Sequence, residues 1–221
     1  MQSQNERLKI HTTQDGSHTL YIPSLDEHYH STHGSVQESQ HVFIRAGFNA
    51  IQQSSVDILE VGLGTGLNAL LTMSEAEKHK KKVFYYGIEK YPLPSEILEK
   101  LNYKKILKNG DDFNKIHACP WETEAAIYPW FSLYKTRADL LDAVLPDLFD
   151  LIYYDAFSPG VQPSLWEEPV LQKMAHVLRP GGVFITYCAR GAVRRALVES
   201  GLKVERLPGP PGKREILRAV K

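Results

Sequence analysis

The sequence is poor in cysteine and has no long apolar run. Its two cysteines, Cys119 and Cys188, stand far apart with no Cys-x-x-Cys spacing. No disulfide framework is therefore expected, and a reducing cytoplasm is the predicted location. No uncharged apolar run reaches the roughly 18 residues that a membrane helix needs, and the N-terminus lacks the apolar segment of a signal peptide.

The sequence also lacks an excess of charge of one sign. Its formal net charge is +0, which argues against a general nucleic-acid coat. The charge is unevenly distributed, however: residues 179–221 hold ten Lys or Arg and three Glu, whereas the first sixty residues hold three Lys or Arg and seven Asp or Glu. The basic end fits either a local contact with a polyanion or an ordinary solvated surface.

Short apolar runs alternate with segments of helical periodicity from residue 56 onward. The pattern predicts strands at 56–61, 83–88, 131–136, 149–155 and 183–187, with helices at 67–79, 92–107, 113–128, 138–145, 167–178 and 191–199. Two late strands, at 203–207 and 215–220, have no helix between them. Such alternation predicts an α/β fold whose sheet is mostly parallel, with one antiparallel terminal strand.

A doubly wound sheet that ends in a hairpin resembles the class I S-adenosylmethionine-dependent methyltransferase (Rossmann-like) fold. We expect residues 51–221 to form this domain. Residues 1–50 are polar and rich in histidine, and we expect them to form an extension or lid that packs on the core. Ligands of such sheets bind at the carboxyl ends of the strands.

The segment ILEVGLGTGLNALL places Gly62, Gly64 and Gly66 between a strand and a helix. Dinucleotide sites favour G-x-G-x-x-G, whereas the spacing here is G-x-G-x-G, and no lysine follows as it would in a Walker loop. Glu60 would repel a pyrophosphate but suits a ligand with an ammonium or sulfonium charge. The glycines and Glu60 therefore predict an S-adenosylmethionine site, and the alternative is a tight turn without a ligand.

Two more acids follow predicted strands. Glu89 ends the second strand, where an acid commonly accepts hydrogen bonds from ribose hydroxyls. Asp139 follows the third strand. It either accepts a hydrogen bond from the adenine amino group or stabilises the start of a helix through the helix dipole.

The fourth strand ends in Asp155, followed by Ala-Phe-Ser-Pro. Methyl transfer to an amine needs a free lone pair on nitrogen, and a carboxylate can take its proton or orient its N–H. Asp155 is therefore the candidate catalytic residue. Aromatic rings stack on flat bases, so Phe157 and Trp166 are the candidate platform. The alternative is a structural turn capped by Asp155.

Three segments resemble the methyltransferase half of the bifunctional tRNA 5-methylaminomethyl-2-thiouridine biosynthesis protein MnmC and its stand-alone relatives. They are VGLGTGLN, FDLIYYDAFSPGVQPSLW and LRPGGVFITYCARGAVRRALVESGLKVERLPGPPGKREIL. The segment SLDEHYHS resembles the family's F-D-D-x-Y-F-S, with Tyr29 matched and His30 departing. Asn68 belongs to the glycine motif, so the resemblance adds Tyr29 and Asn68 to the expected cofactor-binding residues.

The resemblance implies methylation of the aminomethyl nitrogen on the wobble uridine of tRNA, with S-adenosylmethionine as methyl donor. No second glycine-rich flavin fingerprint occurs before Lys221, so we expect methyl transfer alone, without flavin or oxidase chemistry. The matched Pro159 is expected on the substrate side. Arg194, Lys213 and Arg214 would hold anticodon-arm phosphates.

Other interpretations predict different signals. A spermidine-synthase-like aminopropyltransferase would carry a second acid soon after Asp155, and Ala-Phe-Ser follow instead. A non-catalytic tRNA-binding module would have a damaged glycine loop, whereas the three glycines here are intact. A nicotinamide dehydrogenase would have a different glycine spacing. Four histidines invite a zinc interpretation, but their spacing matches no common structural zinc pattern, so we expect no metal; they are His28, His30, His33 and His41.

Overall fold

The structure, a computed structural model, describes residues 8–146 and 148–221. Its N-terminal part forms a small antiparallel sheet of three strands: β1 (Lys9–Thr12), β2 (His18–Ile22) and β3 (Glu27–His28). A helical stretch follows, made of α1 (Ser35–Ser39), a π-helical turn at Gln40–Arg45 and a 3-10 turn at Phe48–Ala50.

The rest of the chain alternates between strands and helices. In order these are β4 (Ser55–Val61), α2 (Leu67–His79), β5 (Lys82–Ile88), α3 (Ser95–Leu98), α4 (Tyr103–Ile106), α5 (Gly110–Ala118), β6 (Ala125–Tyr128), β7 (Phe131–Thr136), β8 (Phe149–Tyr154), α6 (Glu168–Val177), β9 (Leu178–Thr186), α7 (Gly191–Glu199), β10 (Lys203–Pro208) and β11 (Glu215–Val220). A 3-10 turn at Pro163–Trp166 precedes α6.

Within the described residues, the larger sheet has eight strands in the order β10-β11-β9-β8-β4-β5-β7-β6. Strands β7, β5, β4, β8 and β9 are parallel, and β11 is antiparallel to β9. The predicted α/β fold with an antiparallel terminal strand is therefore confirmed. An additional edge strand, β6, runs antiparallel to β7.

Strand β4 lies at the centre of this sheet, between β5 and β8. Its side chains alternate between two buried layers: Val56 and Ile58 pack on one face, Leu59 and Val61 on the other. The chain leaves β4 towards β5 on one side, while β8 lies on the other side. This reversal of strand order opens a crevice at the carboxyl end of β4.

Helices cover both faces of the larger sheet. Helix α2 and the N-terminal helical stretch bury apolar side chains on one face, and α6 and α7 do so on the other. Leu20, Phe43 and Phe48 are each at most 1 % exposed and belong to the first of these layers. The N-terminal part thus supplies core residues as well as polar surface. The predicted boundary at residue 50 stays a prediction, and residues 1–7 lie outside the described residues.

Three predicted helices differ from the structure. The segment 113–128 is helical only to Ala118, because Pro120 has no N–H to continue the helix; strand β6 follows. The segment 138–145 forms a turn, in which the Asp139 side chain accepts the Leu141 N–H at 3.1 Å. The segment 92–107 is split around Asn102, whose side chain is bonded to the backbone of His18 at 2.8 Å.

Candidate active site

A cavity of about 1170 Å³ opens at the carboxyl ends of the central strands. Its walls come from the glycine loop (residues 62–66), the residues after β5 and β7, the loop after β8 (residues 155–162, the β8 loop) and the N-terminal part. Ligand cavities commonly enclose roughly 300–1,000 Å³, so this one is large enough for a nucleoside-sized ligand and part of a second molecule.

The three glycines of the loop all have positive φ, and each lies against another segment of the protein. A Cβ at Gly62 would lie 2.8 Å from the Asp155 carbonyl oxygen. At Gly64 it would lie 3.2 Å from the ring of Tyr29, and at Gly66 it would lie 3.1 Å from the ring of His117. The sequence predicts glycine at these positions because bare backbone makes room for a ligand. The structure adds a second reason for glycine, which is that neighbouring segments pack directly against the loop.

Glu60, Asn68 and Asp155 form a hydrogen-bonded chain beneath the glycine loop. The Asn68 amide nitrogen Nδ2 donates to Glu60 Oε1 at 2.9 Å and to Asp155 Oδ2 at 2.8 Å. Asn68 and Asp155 line the cavity, whereas Glu60 is 1 % exposed and lies behind them. Glu60 Oε2 and Asn68 Oδ1 have no hydrogen-bond partner among the described residues.

Both acids of this hydrogen-bonded group, Glu60 and Asp155, have raised pKa values. Burial raises the pKa of Glu60 to about 8, although the hydrogen bond from Asn68 opposes the shift. Burial also raises the pKa of Asp155 well above its ordinary value, and the charges of Glu60 and Glu38 act in the same direction. The Asn68 hydrogen bond and the positive charge of Lys213 oppose that rise. A cationic ligand would favour the ionised forms of both acids.

Glu89 and Asp139 line the cavity beyond the glycine loop. Glu89 accepts the Gly64 N–H at 3.0 Å and the Tyr91 N–H at 2.8 Å, so it fastens the loop to the end of β5. Burial raises its pKa, while these backbone bonds oppose the rise. Asp139 pairs with Lys90. Asp139 begins a turn and not a helix in the described residues, so the helix-dipole alternative is wrong.

Tyr29 and His30 cover the glycine loop. The Tyr29 ring meets Phe157 edge to face, with 5.1 Å between ring centroids. His30 Nε2 lies 3.0 Å from Thr65 Oγ1, and burial lowers the His30 pKa to about 4, so the ring is neutral. His30 was not among the expected site residues, because the sequence marked it only as a departure from the family motif and as one of four histidines without a zinc spacing.

Phe157 lines the cavity beside Asp155, and its backbone N–H donates to Gln162 Oε1 at 3.2 Å. Trp166 is 6 % exposed and donates its indole N–H to the Phe157 carbonyl at 2.7 Å. Its ring therefore supports the β8 loop from behind, and its placement does not suit the predicted stacking platform. Pro159 is half-buried and lies outside the cavity lining.

The three basic residues expected to hold phosphates differ in their surroundings. Arg214 is exposed, and Arg194 borders a shallow groove with Val204 and Arg206. Lys213 instead points inward, with Nζ 3.0 Å from Glu38 Oε1 and 4.8 Å from the centroid of the Tyr187 ring. Sequence reasoning missed both partners: Glu38 belongs to no quoted motif, and Tyr187 lies in the quoted segment LRPGGVFITYCARG without any local signal that marks it as a site residue.

Residues 8–146 and 148–221 contain no group of three or more His, Cys, Asp or Glu side chains arranged to hold a metal ion. In the same residues no helix is long and apolar enough to cross a membrane. His28 and His11 face each other on the small sheet, with 3.1 Å between their ring nitrogens.

The cavity residues fit S-adenosylmethionine. Asn68 Oδ1 is a buried acceptor without a partner on a side chain that lines the cavity, and it could accept from an ammonium. Glu60 behind it would supply a negative charge once a cationic ligand favours its ionised form. Glu89 and Asp139 stand where ribose and adenine donors would need acceptors. All of these groups are acidic or accepting, which matches a cationic ligand rich in N–H and O–H groups.

This fold and this acidic site define a class of enzyme, and the family comparison agrees. Residues 98–221 match the model of a family described as S-adenosyl-L-methionine-dependent methyltransferase. The match covers more than half of the chain, so the chain belongs to this family and its cofactor is S-adenosylmethionine. Membership favours methyl transfer over aminopropyl transfer and over nicotinamide chemistry.

The chain is also similar to particular members. It is 29% identical over 221 residues to the tRNA 5-methylaminomethyl-2-thiouridine biosynthesis bifunctional protein MnmC of Cupriavidus metallidurans, with 90% of this chain and 32% of that protein covered. The same-named protein of Actinobacillus pleuropneumoniae is 31% identical over 231 residues, covering 92% of this chain and 34% of that protein. The chain thus spans about a third of the length of these curated relatives.

Among solved structures, the crystal structure of MnmC2 from Aquifex aeolicus superposes with a TM-score of 0.76 at 25% identity. The superposition covers 99% of this chain and 72% of that one. The expected resemblance to the MnmC methyltransferase half is therefore confirmed.

Proposed function

We propose that this protein transfers a methyl group from S-adenosylmethionine to the exocyclic nitrogen of 5-aminomethyl-(2-thio)uridine at the wobble position of tRNA. The product is the 5-methylaminomethyl nucleoside. The names of the relatives support tRNA as the substrate, and the similarity extends over nine-tenths of the chain. The proposal is confined to methyl transfer, because only about a third of each relative is matched.

One observation carries the proposal: Asp155 and Phe157 stand on the same cavity wall, directly beside the glycine loop. An amine held at Asp155 would therefore lie next to the cofactor's position. The edge-to-face contact between Phe157 and Tyr29 gives this wall an aromatic surface on which a uracil ring can rest.

The roles follow from charge and position. S-adenosylmethionine, when bound, supplies an electrophilic methyl group on a sulfonium. Asp155 holds the aminomethyl ammonium, takes its proton and leaves the nitrogen lone pair free to form the new N–C bond while the S–C bond breaks. Asn68 orients Asp155 and Glu60 through its two hydrogen bonds. Most of the rate enhancement then comes from alignment of the two reactants.

Cofactor and tRNA contacts complete the assignment. Glu60, Glu89, Asp139 and Tyr29 would surround the cofactor, together with the glycine loop. Arg194 and Arg214 would contact anticodon-arm phosphates on the outer surface. A wobble base is already in a single-stranded loop, so its presentation to the cavity costs little compared with extrusion of a paired base.

A single-turnover assay with labelled S-adenosylmethionine tests this function. The substrate is tRNA carrying 5-aminomethyl-2-thiouridine, and the matched control is the same tRNA with unmodified uridine. We expect label in the first tRNA alone. Calorimetric titration with S-adenosylmethionine and with decarboxylated S-adenosylmethionine runs in parallel. Cofactor binding without methyl transfer to either tRNA would contradict the proposed acceptor, and tRNA binding without cofactor binding would indicate a non-catalytic module.

A further inference from the structure

Lys213 differs from its neighbour Arg214 in where its charge lies. Both belong to the Lys-Arg-Glu run that precedes β11, and both were expected to contact phosphates. The Arg214 side chain is exposed. The Lys213 side chain is 30 % exposed, and its ammonium lies between the Glu38 carboxylate, at 3.0 Å, and the face of the Tyr187 ring.

Both partners of Lys213 are themselves fixed. Glu38 is 6 % exposed, and its Oε2 accepts the Ser31 N–H at 2.7 Å. The Tyr187 hydroxyl donates to the carbonyl of Ala156 at 2.8 Å. Ala156 follows Asp155 directly, so the Lys213 ammonium rests on a ring that holds the β8 loop in place.

The groups that act electrostatically on Asp155 come from several elements. Negative charges on Glu60 of β4 and Glu38 of α1 disfavour the Asp155 carboxylate, and the Lys213 ammonium favours it. Tyr85 of β5 and Tyr187, which follows β9, also interact electrostatically with Asp155. Burial is the main cause of their raised pKa values; the charges of Glu60 and then Asp155 add to the rise in Tyr85, and the charge of Asp155 adds to it in Tyr187. The Lys213 ammonium thus partly opposes the effect of these acids on Asp155, whose pKa stays well above its ordinary value.

We propose that Lys213 is a positioning residue of the acceptor site, whose ammonium, held by Glu38 over the Tyr187 ring, favours the ionised form of Asp155 and steadies the β8 loop through Tyr187. It is not a phosphate contact. The proposal rests on the proposed function, in which Asp155 takes the proton of the acceptor amine. Glu38 holds the Lys213 ammonium at this place and would itself repel the Asp155 charge if Lys213 were removed.

The test compares the parent with Lys213→Met, Lys213→Arg, Arg214→Met and the double variant Glu38→Gln/Lys213→Met. Three properties are measured: single-turnover methyl transfer across a pH series, tRNA affinity against salt, and the titration of ¹³C-labelled aspartate carboxyls by NMR. Asp155→Asn identifies the Asp155 signal. Thermal unfolding and S-adenosylmethionine binding show that each variant is folded.

We expect Lys213→Met to slow transfer at least about fivefold near pH 6.5 and to approach the parent rate near pH 9, with tRNA affinity and its salt slope unchanged. Lys213→Arg should retain the parent profile, and the double variant should recover part of the rate because one acid is removed with the cation. Arg214→Met should lower affinity and reduce the salt slope by about one, with an unchanged pH profile.

Two results would overturn the proposal. In the first, Lys213→Met loses tRNA affinity and salt slope as Arg214→Met does. In the second, Lys213→Met slows methyl transfer equally at every pH, and the added Glu38→Gln substitution does not restore the rate. A parent that binds the cofactor but methylates neither tRNA would refute the proposed function separately. The NMR titration then decides the inference alone: an Asp155 carboxyl that titrates at the same pH with and without Lys213 refutes it.

Discussion

Replacement of Asp155 with asparagine should slow methyl transfer while the site keeps its shape. Asp155 Oδ2 accepts the Asn68 amide hydrogen at 2.8 Å, and an asparagine carbonyl oxygen at this position can accept the same bond. The substitution therefore removes one negative charge and little else. It also relieves the repulsion from Glu60 and Glu38, so the variant should be at least as stable as the parent at alkaline pH.

The size of the effect follows from the role of the charge. General base help is worth about 10²–10⁴-fold in rate, which is about 2.7–5.4 kcal/mol of activation free energy. A neutral hydrogen bond that merely changes its acceptor is worth only about 0.5–1.5 kcal/mol. We therefore expect a loss of at least about tenfold, steepest below the pKa of the acceptor amine, where a proton must first be removed.

Single-turnover transfer of labelled methyl to tRNA carrying the aminomethyl nucleoside, measured across a pH series, gives this rate directly. Calorimetry with S-adenosylmethionine is the control for cofactor binding. A variant as fast as the parent at every pH would mean that Asp155 only caps the turn after β8. Loss of cofactor binding would instead mean that Asp155 contacts the cofactor and not the acceptor amine.

Three further predictions concern the cofactor and tRNA sites. Gly64→Val should abolish S-adenosylmethionine binding in calorimetry and leave the circular dichroism spectrum unchanged, because φ is +48° and the new Cβ would meet the Tyr29 ring at 3.2 Å. Arg194→Glu should weaken tRNA binding and flatten its salt dependence in anisotropy titrations, with cofactor affinity unchanged. In the ligand-free parent, Glu60 keeps its proton up to about pH 8 but loses it near pH 4.5 when unfolded, so stability should fall as pH rises through this window. Glu60→Gln should flatten that fall and lower cofactor affinity at least about tenfold.

Each of these predictions has an outcome that contradicts it. Unchanged cofactor affinity in Gly64→Val would show that the loop does not contact the cofactor. An unchanged salt slope in Arg194→Glu would show that this arginine does not contact tRNA. If denaturation midpoints of parent and Glu60→Gln varied with pH in the same way, Glu60 would not hold the proton that its burial implies.

The sequence by itself determined the order of the central elements and the fold class. Strands β4, β5, β7 and β8 were predicted within about one residue at each end, because their short length and their β-branched and aromatic residues favour a buried strand over a helix. Helices α2 and α7 agree with the structure at both ends. The glycine spacing and the acid before it were also sufficient to predict a cationic cofactor, because backbone space and charge are local properties of that segment.

Tertiary structure decided which side chains face the cavity. Trp166 and Phe157 are nine residues apart in one motif, yet Trp166 is buried behind the loop and Phe157 lines the cavity. Lys213 and Arg214 are adjacent and carry the same charge, but one ammonium is paired with Glu38 while its neighbour is exposed. No local pattern separates such residues, because tertiary contacts set the direction of each side chain: Phe157 meets Tyr29, and Lys213 pairs with Glu38, both of which lie far away in the chain.

The charge state of the site also depends on folding. Glu60, Glu38 and Asp155 are ordinary acids in the sequence. Folding brings the three acids together, from β4, α1 and the β8 loop, and buries them. The pKa values of Glu60 and Asp155 rise as a result. Asn68 then bridges two of them with one amide group. Sequence therefore specifies which chemical groups are present, whereas burial and long-range proximity set their protonation, because both depend on how far each charge lies from water and from other charges.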